Sequence, residues 1–120
     1  AATALCTAVH GIARGGELRD ALHRFAPLVV ERDGRITGYL TAPAIWHMNH
    51  GVAETEHDMQ ALLAGAAASN RMLSLLMPIR QASLFRWCLD AAMRVVMPMT
   101  LMAIGDYQDP AGSWFPSVFY

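Results

Sequence analysis

His47, His50 and His57 lie in a short span with Glu54 and Glu56, and all five are side-chain types that bind metal ions. A zinc site normally needs three or four such groups to converge, each held by a further partner. A strand over 44–50 sends His47 and His50 to opposite faces, because side chains alternate along a strand. The spacing favours loop or rim histidines, and no metal site is expected. Tyr39 and Tyr107 are acid/base candidates that the spacing does not single out. Lysine chemistry is excluded, since all nine basic side chains other than histidine are Arg and none can form a Schiff base.

The elements that must position these groups follow from patterning. Apolar residues at helical spacing predict helices over 3–10 (Leu5, Cys6, Val9) and 17–25 (Leu18, Ala21, Leu22, Phe25), with Gly11 and Pro27 as stops. "LVVER" (28–32) and "RITGYLTA" (35–42) read as strands joined by Asp33-Gly34, the residues a type I′ turn needs for positive φ at both central positions. The segment 44–50 is a candidate strand. An acid-fronted helix is expected over 54–68, where Glu54, Glu56 and Asp58 suit the positive end of the helix dipole. Then come a buried strand over 71–79, a helix over 81–93 with Leu84, Trp87, Cys88 and Ala91 on one face, and a long apolar strand over 94–105. Pro98 gives that last strand a bulge or an edge position. A final strand over 114–120 carries Trp114, Phe115, Phe119 and Tyr120. Met97, Met99 and Met102, near-alternating in the 94–105 strand, are expected in the core rather than in an adaptable pocket.

The chain has 120 residues, 54% of them hydrophobic and 16% charged, with a net charge of −1. That describes one packed domain over 1–120, and it leaves no electrostatic footprint for nucleic acid or an anionic membrane. Cys6 and Cys88 form no CxxC pair, which points to a reducing cytoplasm rather than a disulfide scaffold or zinc ribbon. No uninterrupted apolar stretch is long enough to span a membrane. The opening "AATALCTAVHG" reads as the interior of a helix, so the natural beginning of the protein is expected to precede Ala1.

The hairpin "VVERDGRITGY" (29–39) resembles the second and third strands of the GNAT (N-acetyltransferase) superfamily, whose members commonly read V-x-E-x-D-G-x-I-x-G-Y there. The resemblance covers nearly the whole chain. "LFRWCLDAAMRVVMPMTLMAIGDYQDPAG" (84–112) is similar to the C-terminal part of the second GNAT-like module in bacterial tandem-GNAT proteins. It implies an α/β (α+β) domain with a mixed, mostly antiparallel sheet and helices on both faces. The family's first strand is missing here.

The resemblance also implies a cofactor, acetyl-CoA, and transfer of its acyl group to a small amine. The family's Q/R-x-x-G-x-G/A segment cradles the pyrophosphate at a helix N-terminus. Aligning "QALL" (60–63) to the family's "RALL" puts Glu54 at the basic position and His57 and Met59 at the two glycines, with Thr55 between. A carboxylate replaces a cation and bulky residues replace glycines, so the clamp is degenerate. "WCLDAAM" (87–93) falls on the family's L-Y-x-x-x-G-F. Cys88 then occupies the place of the tyrosine that is often the general acid, and Ala92-Met93 replace Gly-Phe. A core role for Cys88 is the favoured reading. Gln81 stands where an Asn often contacts CoA. His10 and Arg14, in the loop that usually encloses the acceptor, are candidate substrate contacts, though His10 also suits a helix end.

Two function classes follow: an N-acetyltransferase domain, or a non-catalytic GNAT-like module that supports a catalytic partner or senses a small molecule. The expected partner is a preceding GNAT module or a second copy. A missing first strand exposes a sheet edge, and Trp114 or Phe119 would anchor the contact.

Overall fold

The computed structural model describes residues 1–10, 15–69 and 72–118. It is an α+β domain, with helices α1 (Ala2–His10), α2 (Gly15–Arg24), α3 (Glu56–Ser69) and α4 (Ala82–Asp90). The strands are β1 (Leu28–Arg32), β2 (Arg35–Leu40), β3 (Gly51–Ala53) and β4 (Ser113–Phe115). They form one antiparallel sheet in the order β1-β2-β3-β4. Among the described residues no helix is long and apolar enough to cross a membrane.

The hairpin turn is the one its sequence demands: Asp33 has φ 51° and Gly34 φ 74°, both positive. Alternation along the strands then sorts the core into two layers. Tyr39, Val52 and Trp114 form one row across the sheet and pack with Leu5, Cys6 and Val9 of α1. Leu40, Ala53 and Phe115 belong to the opposite face, under Met59, Leu62 and Leu63 of α3 and Leu84 and Cys88 of α4. Close approach at this second face requires glycine at Gly51, where a Cβ would meet Leu40 at 2.6 Å and Phe115 at 2.8 Å. One irregularity interrupts β2. The β1–β2 register slips between Val30 and Glu31, so Thr37 bulges opposite no residue of β1. Its carbonyl accepts from the Glu54 N–H instead.

Four expected elements differ. The segment 44–50 is a run of turns, closed by hydrogen bonds from Thr41 N–H to the His50 carbonyl and from Ala42 N–H to Asn49 Oδ1. Residues 72–78 form no strand; Leu73, Leu75 and Met77 are half-buried against the α3–α4 core, but they join no ladder. Residues 94–105 are not a core strand at all; Met97, Met99 and Met102 are exposed. The final strand is only Ser113–Phe115, with Trp114 turned into the α1 layer rather than outward, and Phe119 and Tyr120 outside the described residues. Helix α4 stops at Asp90, which leaves Ala91 exposed beyond its apolar face.

Candidate functional site

The segment "ETEHD" (54–58) links β3 to α3, and it is where the family resemblance puts the pyrophosphate. Thr55 precedes the first helical residue. Its hydroxyl oxygen accepts the Asp58 N–H at 3.1 Å, while its O–H donates to Asp58 Oδ2 at 2.9 Å. This is a Thr-x-x-Asp variant of the capping box, with a shorter acid reaching back to the cap. Its signal in the sequence is an acid three residues after a threonine, Thr55 and Asp58, which the alignment to a glycine-rich clamp does not contain.

Asp58 is buried, and its Oδ1 accepts from Arg32 Nε at 2.9 Å. Burial pushes this carboxyl upward, but the hydrogen bonds from Arg32 and Thr55 outweigh it and hold Asp58 below its ordinary value. The nearby Thr37 hydroxyl adds a weaker favourable dipole, although it has no partner of hydrogen-bonding geometry among the described residues. Glu54 is held by both Arg35 guanidinium NH groups in a fork that spans the bulge, and that hydrogen bond lowers its pKa. His57 is exposed on the first turn of α3, and Met59 is fully buried beneath it.

A cleft of about 400 Å³ opens beside this junction, lined by Glu54, Glu56, Arg80, Gln81, Ala82, Ser83, Gly112 and Ser113. Its two walls are the starts of α3 and α4, and they are tied together. Glu56 Oε1 accepts from Ser83 at 2.9 Å and from Gln60 at 3.1 Å. Arg80 pairs with Asp109. The Gln81 side chain behaves as a fifth strand in miniature. Its Nε2 donates to the Trp114 carbonyl at 2.7 Å, and its Oε1 accepts from Trp114 N–H and the Ser113 hydroxyl at 3.1 Å. The outer edge of β4 is thereby closed, and the amide that would contact CoA is used on the fold itself.

Acetyl-CoA does not fit these residues. Three carboxylates, Glu54, Glu56 and Asp58, surround the helix start where a pyrophosphate would bring more negative charge. The Asp58 N–H of that start is already taken by the Thr55 hydroxyl, and the Asp58 carboxylate stands at the positive end of the helix dipole. Cys88 is 5% exposed within the α3–α4 core. Desolvation, with a smaller contribution from Glu56, pushes its thiol up to about 11. A general acid works best with a pKa near the working pH, and this group is far above it.

The remaining sequence candidates do not converge on the cleft. Tyr107 is exposed in the 106–110 loop. His10 ends α1, and Arg14 lies outside the described residues. His47 stacks edge-on against Trp46 at 5.3 Å. His50 and Tyr39 do meet, with Tyr39 Oη 3.2 Å from His50 Nδ1. At 0% and 2% exposure the pair belongs to the polar part of the core and not to a substrate-facing surface. Thr41 and Asn49 complete that region: Thr41 Oγ1 accepts the His50 N–H at 2.8 Å, and Asn49 Nδ2 donates to the Ser74 carbonyl at 3.1 Å. Among the described residues no group of three His, Cys, Asp or Glu side chains is arranged to hold a metal. Comparison with protein-family models, curated proteins and solved structures gives no match to this chain.

Proposed function

We propose that the chain is a GNAT-like N-acetyltransferase-family domain whose CoA site has become structural, acting as a non-catalytic module beside a catalytic partner. The observation that carries this reading is the junction at 54–58. There Thr55 takes the Asp58 N–H, Arg32 and Thr55 hold the Asp58 carboxylate at the helix start, and the neighbouring helix start is bridged by Glu56 and Ser83. Acyl transfer to a small amine, where the whole protein performs it, belongs on this reading to a preceding GNAT module. Two free, buried thiols, Cys6 and Cys88, support a reducing cytoplasm as the place of work.

Calorimetric titration of the 120-residue chain with acetyl-CoA tests the proposal. The expected result is no saturable heat at metabolite concentrations. Saturation with a dissociation constant in the micromolar range would show that the junction still holds the cofactor, and would return the chain to the catalytic class.

A further inference from the structure

Half of the chain's eight methionines, Met93, Met97, Met99 and Met102, fall within residues 93–102. Met93 packs half-buried against the α3–α4 core, whereas Met97, Met99 and Met102 stand 59%, 56% and 86% exposed. As packing material an exposed methionine is wasted, since its apolar side chain gains nothing from water. What it keeps is a polarisable sulfur, a weak hydrogen-bond acceptor and a ligand for soft metal ions. The segment offers little else. Between residues 91 and 105 there is no His, Cys, Asp or Glu, and Thr100 carries the sole hydroxyl.

We propose that Met97, Met99 and Met102 form a thioether site for Cu(I). The ligand set selects the ion. Neutral thioethers leave the double charge of Zn(II), Mg(II) or Ca(II) uncompensated, and those ions take imidazole, thiolate or oxygen ligands. Cu(I) is soft and singly charged, and thioether sulfur is among the ligands that select it. It is also the oxidation state that a reducing compartment maintains, and two free, buried thiols point to such a compartment. The inference is independent of the CoA reading.

The backbone suits this use. Pro98 fixes its own φ and biases Met97 toward an extended conformation. Met97 and Met99 are almost equally exposed, and less so than Val96 and Met102, which puts those two on one side of the chain. Two residues of extended chain separate their Cα atoms by roughly 6–7 Å, a gap that two long, unbranched side chains close on a single ion. Met102 comes from the other side. Residues 94–104 make no backbone hydrogen bond to another described residue, so rotation at Thr100 and Leu101 brings its sulfur round without breaking one. A filled d shell imposes no geometric preference on the ion, so three ligands from a short, irregular stretch are acceptable to it.

Competition for Cu(I) against the chromogenic chelator bicinchoninate, without oxygen and with far-UV circular dichroism as the folding control, is the experiment. The 120-residue chain should withdraw Cu(I) from the chelator. Met97→Leu, Met99→Leu and Met102→Leu combined should weaken that uptake by roughly 10-fold or more. Leucine conserves volume at exposed positions, so the fold is expected to stand. Met93→Leu, against the core, should leave uptake unchanged. Two readouts separate the thioethers from the thiols of Cys6 and Cys88. Thioethers carry no titrating proton, so uptake should be constant between pH 6 and pH 8, whereas thiolate binding rises with pH. Ag(I), an air-stable stand-in, should shift the methyl NMR signals of Met97, Met99 and Met102 and leave that of buried Met59 in place. A chain that takes no Cu(I) from the chelator overturns the proposal. So does equal uptake by the triple variant, or uptake that climbs with pH.

Discussion

Two stretches of this molecule treat their polar and apolar groups in opposite ways. At the β3–α3 junction, five consecutive residues from Glu54 to Asp58 include three acids, and each has a partner: Arg35 for Glu54, Ser83 and Gln60 for Glu56, Arg32 and Thr55 for Asp58. In 94–104 the backbone has no such partners among the described residues, and the large side chains stand in solvent. The first stretch has the composition of a binding loop but is closed. The second has the composition of a core strand but is open. Local composition says what a segment could bind, and its partners decide whether anything is left to bind with.

The comparison breaks most directly at Asp58. Asp58→Ala removes the capping-box partner and the acceptor of Arg32, and is expected to lower stability by about 2 kcal/mol. The pair with Arg32 supplies the smaller part, since that side chain is 46% exposed and screened by solvent. Asp58 is held below its ordinary carboxyl range, so its contribution is fully present above the unfolded value of 3.8 and is lost as pH falls through the lower folded value. Urea unfolding of both chains at pH 7 and pH 3 checks this. The difference should narrow at the acid end, and a pH-independent difference would mean that the charge on Asp58 contributes nothing.

A smaller effect is expected at Cys88, where the open and closed readings differ in chemistry. As a core residue, Cys88→Ala should cost about 1 kcal/mol through a small cavity. With its thiol at about 11, roughly one molecule in a thousand carries the thiolate at pH 8. Alkylation of Cys88 in a Cys6→Ala background should therefore be far slower in the native chain than in the unfolded one. Equal rates in the two states would place the sulfur in an accessible, activated setting.

What was legible in the sequence divides along the same line. The Asp33-Gly34 turn could be read because a type I′ turn is a property of two adjacent residues. Three of the helices could be read from their periodic faces and α3 from its acidic first turn, to within a few residues at each end. The strands over 71–79 and 94–105 could not, because an apolar run has the same appearance whether or not another strand lies beside it, and pairing is decided far away in the chain. Trp114 illustrates the residual ambiguity of a short strand: alternation separates it from Phe115, but only the position of α1 tells which face Trp114 occupies. At the site, the acids of 54–58 are legible in the sequence as unsuited to a pyrophosphate. Their mutual arrangement is not, since Arg32, Arg35 and Ser83 reach them from other elements.

The smallest expected effect lies where the closed part of the molecule passes into the open one, at the end of α4. The Ala92 N–H bonds the Leu89 carbonyl and the Met93 N–H bonds the Cys88 carbonyl, both at 3.0 Å. These are the two bonds of a Schellman motif, and Ala92 holds its left-handed position with φ 68°. Glycine is the usual residue there, because a Cβ in this region crowds the following carbonyl. Alanine at this position therefore carries a strain that glycine would not. Ala92→Gly should relieve it. Offsetting the relief against the greater freedom of glycine in the unfolded chain leaves a net stabilisation of roughly 0.5–1 kcal/mol. Thermal unfolding would show this as a rise in Tm of about 2–5 °C. A fall in Tm would mean that α4 continues past Asp90 with Ala92 in a right-handed conformation. The chain would then enter 94–104 in a different direction.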